Sequence, residues 1–463
     1  MTEQLKLKLN DSKATRWGAL VIVAFTMMAA YYVNDVVAPL KTMLETDLAW
    51  SSTDFGFFTG GYSFLNVFFL MLIWGGLILD RFGIRFTGKL ATILMVGGTA
   101  LEYYAMTGLA GADATLFGIN EIFGYKTGVF VAFAGYSIFG VGAEVAGITV
   151  SKIIAKWFKG KELATAMGVQ VALARIGSQA GYAVAIPLAR AFGISTPVLL
   201  GLVLLLGGMI AFFIFAVMDK KLDKQMEAAA IATGTEDEEE KFSFKDVKNI
   251  LVNPGFWLIA LLCVLFYSCV FPFQKFASEL MIIKYGINEN VAGTFAGLPA
   301  LGALILTPVF GGFIDKRGKS ASIMLLGSAM LICVHFIYAI PDINYWLVAI
   351  VLMIILGIAF SLVPSAMWPA VAKIFPVSQL GTAYALIFFI QNIGLWGIPT
   401  LIGWVLDAYC ISGKKPDGTN MYDYTVPMCI FTGIACLSLI VALLLKKADK
   451  KYGYKLEEPN IQK

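Results

Sequence analysis

The strongest constraint in this sequence is a series of apolar stretches, each about 20 residues long, that repeats along the whole chain. About twelve are present, centred near residues 28, 67, 98, 141, 175, 208, 267, 302, 331, 358, 393 and 436. Such a stretch spans the hydrocarbon core of a bilayer as a helix, where backbone hydrogen bonds must close internally. The pattern predicts an all-α membrane protein with twelve transmembrane helices.

Composition agrees with a membrane protein. Of the 463 residues, 59% are hydrophobic and 14% are charged, and the mean hydropathy is +0.78. A soluble domain has about 45–50% apolar and about 25% charged residues. The sequence has no phosphate loop, no His/Cys metal cluster and no catalytic-triad spacing. We expect no enzyme activity, cofactor, bound metal or nucleic-acid partner, and the lack of a nucleotide-binding domain excludes ATP-driven transport.

The distribution of positive charge predicts the orientation. If the N-terminus is cytoplasmic, the cytoplasmic loops and termini hold 27 of the 35 Lys and Arg residues. This bias predicts that both termini are cytoplasmic. The first apolar run, from Trp17 to Leu40, is too long for a cleavable signal peptide. The opposite side receives only Lys41, Lys126, Arg190, Lys275, Lys284, Lys414 and Lys415.

Hydrophobicity falls sharply in one long internal segment. This predicts an N-terminal six-helix bundle over residues 1–218, a cytoplasmic linker over 219–253 and a C-terminal six-helix bundle over 254–463. The acidic run "TEDEEE" at 235–240 is typical of a solvated surface.

A loop pattern occurs once in each half. "GLILDRFGIR" and "GGFIDKRGKS" both read Gly-x-x-x-Asp-basic-x-Gly followed by a basic residue, 235 positions apart. Glycine lets helices approach closely, and the aspartate could meet a helix N-terminus or a basic side chain across the seam between the halves. Contacts of this kind can form and break during alternating access. The predicted gating residues are Gly76, Asp80, Arg81, Gly83, Arg85, Gly311, Asp315, Lys316, Gly318 and Lys319.

The paired loops resemble the signature loop of the major facilitator superfamily. The resemblance covers the whole chain. It implies two pseudo-symmetric six-helix bundles that face each other across a central cavity.

Two opposite charges interrupt neighbouring apolar helices. Glu144 lies 13 residues before Trp157, and Arg175 lies 13 residues after Glu162, on either side of the loop "KWFKGKEL". At about 1.5 Å per residue, both charges should lie about 20 Å from that loop, near the membrane midplane. One interpretation is a structural ion pair. The other, which we favour, is a substrate clamp in which Arg175 binds a carboxylate and Glu144 an ammonium group.

Longer blocks indicate a narrower family. "GVGAEVAG", "WFKGKELATAMGVQVALARIGS", "FWLIALLCVLFYSCVFPF", "TPVFGGFIDKRGKS" and "SAMWPAVAKIFPVSQLGTAYALIFFIQNIGL" are similar to blocks of the major facilitator superfamily domain-containing protein 1 family, the lysosomal dipeptide transporters of animals. The resemblance implies uniport of small peptides, with Glu144 and Arg175 matching the pair that reads the peptide termini.

The sequence departs from that family in three features. Tyr136 stands where the family carries an arginine, which puts an inherited coupling or gating role there in doubt. No acidic-dileucine sorting signal is present near the N-terminus, and the only glycosylation sequon, at Asn10, lies on the predicted cytoplasmic side. We therefore expect a protein of the plasma membrane, which in a bacterium is the inner membrane. We also expect it to be a monomer that needs no accessory subunit.

Further polar residues could complete the pocket. Asp35, one turn above Tyr31, could contact a peptide ammonium group, carry a proton, or simply end its helix. Tyr62 and Asn66, one turn apart, are candidate cavity liners. Tyr267 lies beside a bend expected at Pro272. From the second half, the family-like blocks contribute Trp368, Gln391 and Asn392.

Other ionisable residues favour structural explanations. We expect Glu102 to be interfacial, and the single histidine, His335, to be packed or interfacial on a peripheral helix. Lys275 could face the pocket, but snorkelling to the interface is the favoured interpretation. Cys410 and Cys429 flank the last outward loop and could pair in an oxidising compartment.

The leading hypothesis is a secondary transporter of dipeptides or similar zwitterions. A second hypothesis is a proton-coupled or exchanging carrier of small organic anions or amino acids, in which Arg175 binds the anion and Glu144 carries a proton. A third is a membrane receptor or scaffold that does not transport, although two intact gating loops argue against it. The expected partners are a small-molecule substrate and the lipid bilayer.

Overall fold

A computed structural model of the chain describes residues 8–111, 114–158, 161–233 and 244–459. The acidic run at 235–240 lies outside these residues. The helices are α1 (Lys13–Val36), α2 (Lys41–Leu48), α3 (Ser52–Phe68), α4 (Met71–Thr107), α5 (Thr127–Trp157), α6 (Leu163–Phe192), α7 (Thr196–Thr233), α8 (Phe244–Val252), α9 (Pro254–Tyr285), α10 (Glu289–Ala296), α11 (Leu298–Arg317), α12 (Ser320–Ala339), α13 (Trp346–Ile374), α14 (Val377–Tyr409) and α15 (Thr425–Tyr452).

Two short antiparallel hairpins lie in the connections. They are β1 (Glu121–Ile122) with β2 (Tyr125–Lys126), and β3 (Ile411–Lys414) with β4 (Asn420–Tyr422). Cys410 and Cys429, which flank the second hairpin, are both free thiols. Burial raises the pKa of the Cys410 thiol to about 11.

The predicted twelve-helix architecture is confirmed. Within the described part of the chain, nine segments are long and apolar enough to cross a membrane, and the bent pair of α3 and α4 raises the number to ten. The α3 and α4 pair accounts for two crossings rather than one, because α4 reverses direction, and these two bring the nine segments to eleven. Helix α6, which carries charged residues, is the twelfth crossing. The first half comprises α1 to α7 and the second half α9 to α15.

The reversal within α4 occurs at Gly83, whose φ of 75° and ψ of 173° are not helical. Gly75 packs against Val145, while Gly98 packs against the backbone of Gly135. A straight helix would separate Gly75 from Gly98 by about 34 Å, but their partners on α5 lie only about 15 Å apart. The chain therefore turns back at Gly83, in the first gating loop. Glycine suits this turn because it adopts positive φ without a Cβ clash.

An even number of crossings separates the start of α1 from the end of α15, so both lie on the same side of the helix bundle. Arg16, near the start of α1, donates hydrogen bonds to the Glu162 carboxylate just before α6. The Tyr454 hydroxyl, just after α15, donates to Asn253 just before α9. We call this the terminal side and the opposite side the far side.

The halves make their polar contacts with each other on the far side. Among the described residues, the hydrogen bonds and ion pairs that join the halves all lie between the level of Arg175 and the far side. The partners are Asn34, Asp35 and Tyr136 with Lys275, Lys41 with Glu279, Glu45 with Lys415, Ser52 and Thr53 with Asp407, Gln179 with Thr294, Tyr182 with Gln274, and Arg190 with Glu289 and Asn290.

Glycines bring the backbones together at the same seam. A Cβ at Gly56 in α3 would stand 2.4 Å from the Pro399 carbonyl oxygen of α14. At Gly76 and Gly311, in the gating loops on the terminal side, a Cβ would meet no atom within 4 Å. The close backbone approach and the polar contacts described here thus both lie on the far side, where they close the seam between the halves.

Four residues form what we call the far-side charge cluster: the buried Lys41, Glu45 and Glu279, and the half-buried Lys415. The Lys41 Nζ lies 2.5 Å from the Glu279 Oε2 and 2.8 Å from the Glu45 Oε1. The Lys415 Nζ lies 3.5 Å from a carboxylate oxygen of each glutamate. Two cations thus balance two anions across the seam, and the Tyr424 hydroxyl also donates to Glu279.

Replacing Gly177 with alanine should destabilise the contact that positions α6. A Cβ there would stand 2.1 Å from the Met28 carbonyl oxygen of α1, and overpacking of this kind costs about 1–3 kcal/mol. We expect G177A to lower the thermal unfolding midpoint of the purified protein. The control is G168A in the same helix, where a Cβ would meet nothing within 4 Å. Equal midpoints for G177A and G168A would contradict the packing argument.

Replacing Glu279 with glutamine should open the far side. The change leaves the buried Lys41 and the half-buried Lys415 with a single glutamate. Removing one partner of a buried ion pair costs the state that contains it about 3–5 kcal/mol. The measurement is the distance between spin labels at Phe192 and Tyr345, exposed residues of the two halves, in a background lacking the exposed cysteines Cys333, Cys429 and Cys436. We expect a longer distance to dominate in E279Q.

The control for this experiment is Glu289→Gln. Glu289 pairs with Arg190 across the same seam, but each side chain is 42% exposed, and exposed pairs contribute about 0–1 kcal/mol. E289Q should keep the short distance. A short distance in both variants would show that the far-side charge cluster does not hold the seam.

Candidate functional site

A cavity of about 540 Å³ lies between the two halves. Eight of the ten residues that the sequence predicts for the pocket line it. The first half contributes Tyr31, Tyr62, Glu144 and Arg175, and the second half contributes Tyr267, Trp368, Gln391 and Asn392. The polar groups therefore come from both halves, as an alternating-access site requires.

Glu144 enters the cavity from α5. Gly140, one turn earlier, brings α5 against α3, since a Cβ there would stand 2.0 Å from the Tyr62 carbonyl oxygen. The Tyr62 hydroxyl donates a 3.0 Å hydrogen bond to the Glu144 Oε1. This bond orients the carboxylate and leaves its other oxygen available to a ligand.

Arg175 enters from α6 between two aromatic rings. Its Cζ lies 5.5 Å from the centroid of the Tyr31 ring and 4.8 Å from that of the Phe360 ring, which belongs to the second half. Its Nε donates no hydrogen bond to any protein group that the structure describes. The stacked guanidinium is thus held by ring contacts, which leave its donors free for an anion.

Glu144 and Arg175 do not form an ion pair with each other. Glu144 bonds to Tyr62, and Arg175 contacts rings. The alternative of a structural lock between these two charges is therefore wrong for this state. The reason lies in the packing, because α6 packs closely on α1 through Gly177 and Met28 rather than on α5.

The second half lines the cavity with an aromatic wall, which we define as Tyr267, Phe271, Phe360, Trp368 and Phe388. The Tyr267 and Phe271 rings stack with centroids 5.5 Å apart, and Phe360 meets Phe271 edge-on at 5.3 Å. Trp368 packs on Phe388 at 4.9 Å. The wall offers apolar contact area opposite the two charges.

Two amides lie beside this wall. The Gln391 Oε1 accepts a hydrogen bond from the Cys263 thiol at 3.4 Å, and the Asn392 Nδ2 donates to the Phe388 carbonyl at 2.9 Å. The buried Oδ1 of Asn392 accepts no hydrogen bond from the described residues. That oxygen can accept a hydrogen bond from a ligand.

Lys275 is buried at the far end of the cavity, which makes the snorkelling interpretation wrong. Its Nζ lies 3.3 Å from the Asp35 Oδ1, 2.5 Å from the Asn34 carbonyl oxygen and 3.4 Å from the Tyr136 hydroxyl. Asp35 also accepts a 2.6 Å hydrogen bond from Ser178. The Asp35 carboxylate keeps the ammonium group inside the protein, although Asp35 itself does not line the cavity.

Three other predicted positions have a different environment from the cavity wall. Asn66 is buried but does not line the cavity, so its prediction as a liner is wrong, because the face of α3 that carries it packs into the protein. Glu102 is fully buried rather than interfacial. His335 is packed as expected, with its Nε2 3.0 Å from the Cys269 carbonyl oxygen.

The first gating loop makes its contacts within its own half. Asp80 pairs with Lys152 at 3.2 Å, and Arg85 pairs with Asp223 at 2.9 Å. Arg81 lies over the Phe82 ring. The cross-seam partner expected for Asp80 is therefore not in place while the far side is closed.

In the second gating loop, the C-terminal segment covers the turn. Asp315 and Lys316 lie in the last turn of α11. A Cβ at Gly318 would stand 2.4 Å from the Glu458 backbone, and the Lys319 N–H donates to the Glu457 carbonyl at 3.1 Å.

Sequence reasoning missed the far-side charge cluster and Phe360. A signal for the cluster existed, because Glu279 interrupts an apolar run just as Glu144 does. Phe360 carries no comparable signal, since one phenylalanine in an apolar helix resembles any other. Within the described residues, no group of three or more His, Cys, Asp or Glu side chains could hold a metal ion.

Comparison with known proteins identifies the family of the chain. A family model for the Major Facilitator Superfamily matches residues 20–399 and 276–458. The human lysosomal dipeptide transporter MFSD1 is 29% identical over 454 residues, which cover 95% of this chain and 88% of that protein.

Solved structures share the fold at low sequence identity. The nucleoside transporter NupG superposes with a TM-score of 0.68 at 12% identity, covering 92% of this chain and 98% of that one. A bacterial homologue of the human lysosomal transporter Spinster, in an inward-facing and unoccupied conformation, gives 0.62 at 14% identity, covering 98% and 99%. Together with the two six-helix halves around a central cavity, these matches show that the chain is a membrane transporter that belongs to the Major Facilitator Superfamily.

Proposed function

We propose that the protein moves dipeptides and closely similar zwitterions across the membrane by alternating access, as a uniporter. The observation that carries the proposal is that Glu144 and Arg175 both face one cavity and do not pair with each other. Unpaired charges at membrane depth are costly. A ligand with one positive and one negative end would neutralise both.

Arg175 is the proposed partner of the peptide carboxylate. Its guanidinium presents parallel donors that match the two oxygens of a carboxylate. The Tyr31 and Phe360 rings on either side restrict its orientation. Since Phe360 belongs to the second half, a bound carboxylate would sit at the contact between the two halves.

Glu144 is the proposed partner of the peptide ammonium group. Tyr62 already donates to one of its oxygens. An ammonium group supplies hydrogen bonds and charge to the other oxygen, which a neutral amide cap cannot replace. Recognition would therefore depend on free peptide termini.

The aromatic wall is the proposed surface for the peptide side chains. It offers ring faces with few hydrogen-bonding groups, and the cavity of about 540 Å³ lies within the range typical of small-molecule sites. Because the termini carry most of the specific contacts, many different side chains should be accepted. The human relative is named a lysosomal dipeptide transporter, which supports this substrate class.

We further propose which side of the membrane the chain termini face and in which membrane the protein lies. The excess of lysine and arginine on the terminal side supports a cytoplasmic location for both termini. The structure would then be the inward-facing state of a plasma-membrane carrier, with gating loops at 76–85 and 311–319. A monomer without an accessory subunit provides both halves of the cavity.

A carrier of organic anions is the second candidate. The Tyr62 hydrogen bond partly satisfies Glu144 without any ligand, so Arg175 alone could bind a carboxylate. This candidate differs in one respect: a simple carboxylate without an ammonium group would bind as tightly as a dipeptide.

A dipeptide with free termini should stabilise the purified protein. A ligand that binds the folded state at 100 times its Kd adds about 2.7 kcal/mol of stability, which should raise the thermal unfolding midpoint by several degrees. The N-acetylated and C-amidated forms of the same dipeptide serve as matched ligands and should give much smaller shifts. Equal shifts for free and capped peptides would rule out the clamp.

Conservative substitutions of the two charges should separate the candidates. In liposomes, E144Q should reduce dipeptide uptake at least about tenfold, because a hydrogen bond to a charged group contributes about 1.5–3 kcal/mol. R175K keeps the charge but loses the paired donors, so it should weaken uptake similarly. E121Q and R190K, at exposed positions on the far side, are the controls. If E144Q leaves dipeptide uptake unchanged, the anion carrier is the better description.

A further inference from the structure

Gln391 presents the N–H end of its amide to the cavity. It lies on α14, its side chain is only 8% exposed, and it lines the cavity between the halves. The Gln391 Oε1 accepts a 3.4 Å hydrogen bond from the Cys263 thiol of α9. The Gln391 Nε2 donates to no group that the structure describes and is not enclosed by protein atoms. The amide oxygen is thus engaged, while the nitrogen keeps both hydrogens for a ligand.

Gln391 lies at the same depth as the two charges proposed to read the peptide termini. It is 14 residues after Val377, where α14 begins on the terminal side. Arg175 is 12 residues after the start of α6, and Glu144 is 13 residues before the end of α5. At about 1.5 Å per residue, all three lie about 18–21 Å from the terminal ends of their helices. The charges belong to the first half and Gln391 to the second, so they line the cavity from opposite sides.

A short series of contacts connects the Arg175 guanidinium with the Gln391 amide. Arg175 lies 4.8 Å from the centroid of the Phe360 ring, and Phe360 meets the Tyr267 ring edge-on at 6.2 Å. Tyr267 is one turn after Cys263 on α9, and the Cys263 thiol bonds to Gln391. The amide and the guanidinium therefore border the same part of the cavity.

A dipeptide carries a polar group that neither terminal contact satisfies. One peptide bond lies between its ammonium and carboxylate groups, and the carbonyl oxygen of that bond loses hydrogen bonds to water when the peptide enters the cavity. Leaving such an oxygen unpaired costs free energy. The ring faces of the aromatic wall cannot replace those hydrogen bonds, whereas an amide N–H can.

The neutral amide of Gln391 suits the peptide carbonyl better than it suits the peptide carboxylate. Hydrogen bonds between ionised groups are about twice as strong as those between neutral groups. The carboxylate therefore goes to the Arg175 guanidinium and the ammonium group to Glu144, which leaves the carbonyl for Gln391. Each of the three residues thereby meets a different part of the peptide backbone.

We propose that the Gln391 Nε2 donates a hydrogen bond to the peptide carbonyl oxygen of a bound dipeptide. The cavity would then distinguish a peptide from a zwitterion of the same length that has no carbonyl at this position. The inference rests on the proposed function, because the two terminal contacts place the carbonyl beside Gln391. Since Gln391 belongs to the second half, this hydrogen bond also connects the substrate to both halves of the carrier.

Two zwitterions that differ only at this oxygen provide the test. In 5-amino-4-oxopentanoic acid and in 5-aminopentanoic acid, the same number of chain atoms separates the ammonium and carboxylate groups as in glycylglycine. Only the first compound has a carbonyl where the peptide has one. At about pH 6 both amines are protonated. We expect the purified full-length protein to bind the oxo compound about two- to tenfold more tightly, as one neutral hydrogen bond predicts.

The variant for this test is Gln391→Met, which keeps the length of the side chain and removes its donor. In Q391M the preference for the oxo compound should disappear, while the affinity for 5-aminopentanoic acid should stay at the wild-type value, which also verifies that the variant is folded. The matched control is Q379M, the same substitution in the first turn of α14, outside the cavity lining. Q379M should keep the wild-type preference.

Equal binding of the two zwitterions by the wild type would overturn the proposal, and so would a preference that persists in Q391M. The wild-type comparison needs no substitution, so it decides the matter even if Q391M does not fold. Failure of the proposed function has a different result: the wild type would then bind glycylglycine and its N-acetylated form equally, whatever its preference between the two test compounds.

Discussion

The cost of placing a charge in a low-dielectric interior governs this structure. Each ionisable side chain inside the helix bundle must find a counterion, a hydrogen-bond donor, a proton or a ligand. The far-side charge cluster and the Lys275–Asp35 pair use counterions, and both pairings cross the seam between the halves. Charges that stabilise the protein thereby also hold one conformation closed.

Glu144 and Arg175, in contrast, are held without a counterion among the described residues. Glu144 is held by a tyrosine hydroxyl, and Arg175 is held between two rings. Neither arrangement neutralises the charge, and both charges face a cavity. A zwitterionic ligand completes what the protein leaves unbalanced, which connects the electrostatics of the site with the kind of substrate proposed.

Much of this arrangement could be predicted from the sequence. The apolar stretches predict the helices, the duplicated loop predicts the two halves, and counting residues from one shared loop places Glu144 and Arg175 near each other in depth. Each of these inferences uses only local sequence and helix geometry. The first gating loop, predicted from its motif, contains Gly83, where the chain turns back and the backbone requires a glycine.

Helix rotation and long-range partners could not be predicted in this way. Tyr62 faces the cavity while Asn66, one turn later, does not, because packing of α3 decides which face is inside. Lys275 is buried by Asp35, which lies 240 residues away in the sequence. Glu102 is covered because Gly135 lets α5 approach α4, a contact that no local pattern indicates.

The central claim is that Glu144 reads the peptide ammonium group while Arg175 reads the carboxylate. A thermodynamic cycle tests it most directly: calorimetric binding of one dipeptide and its N-acetylated form to the wild type and to E144Q. The account predicts that acetylation weakens binding strongly in the wild type and only slightly in E144Q, which gives a coupling energy of about 1 kcal/mol or more. An equal loss on acetylation in both proteins would show that Glu144 does not contact the ammonium group, and would contradict the account.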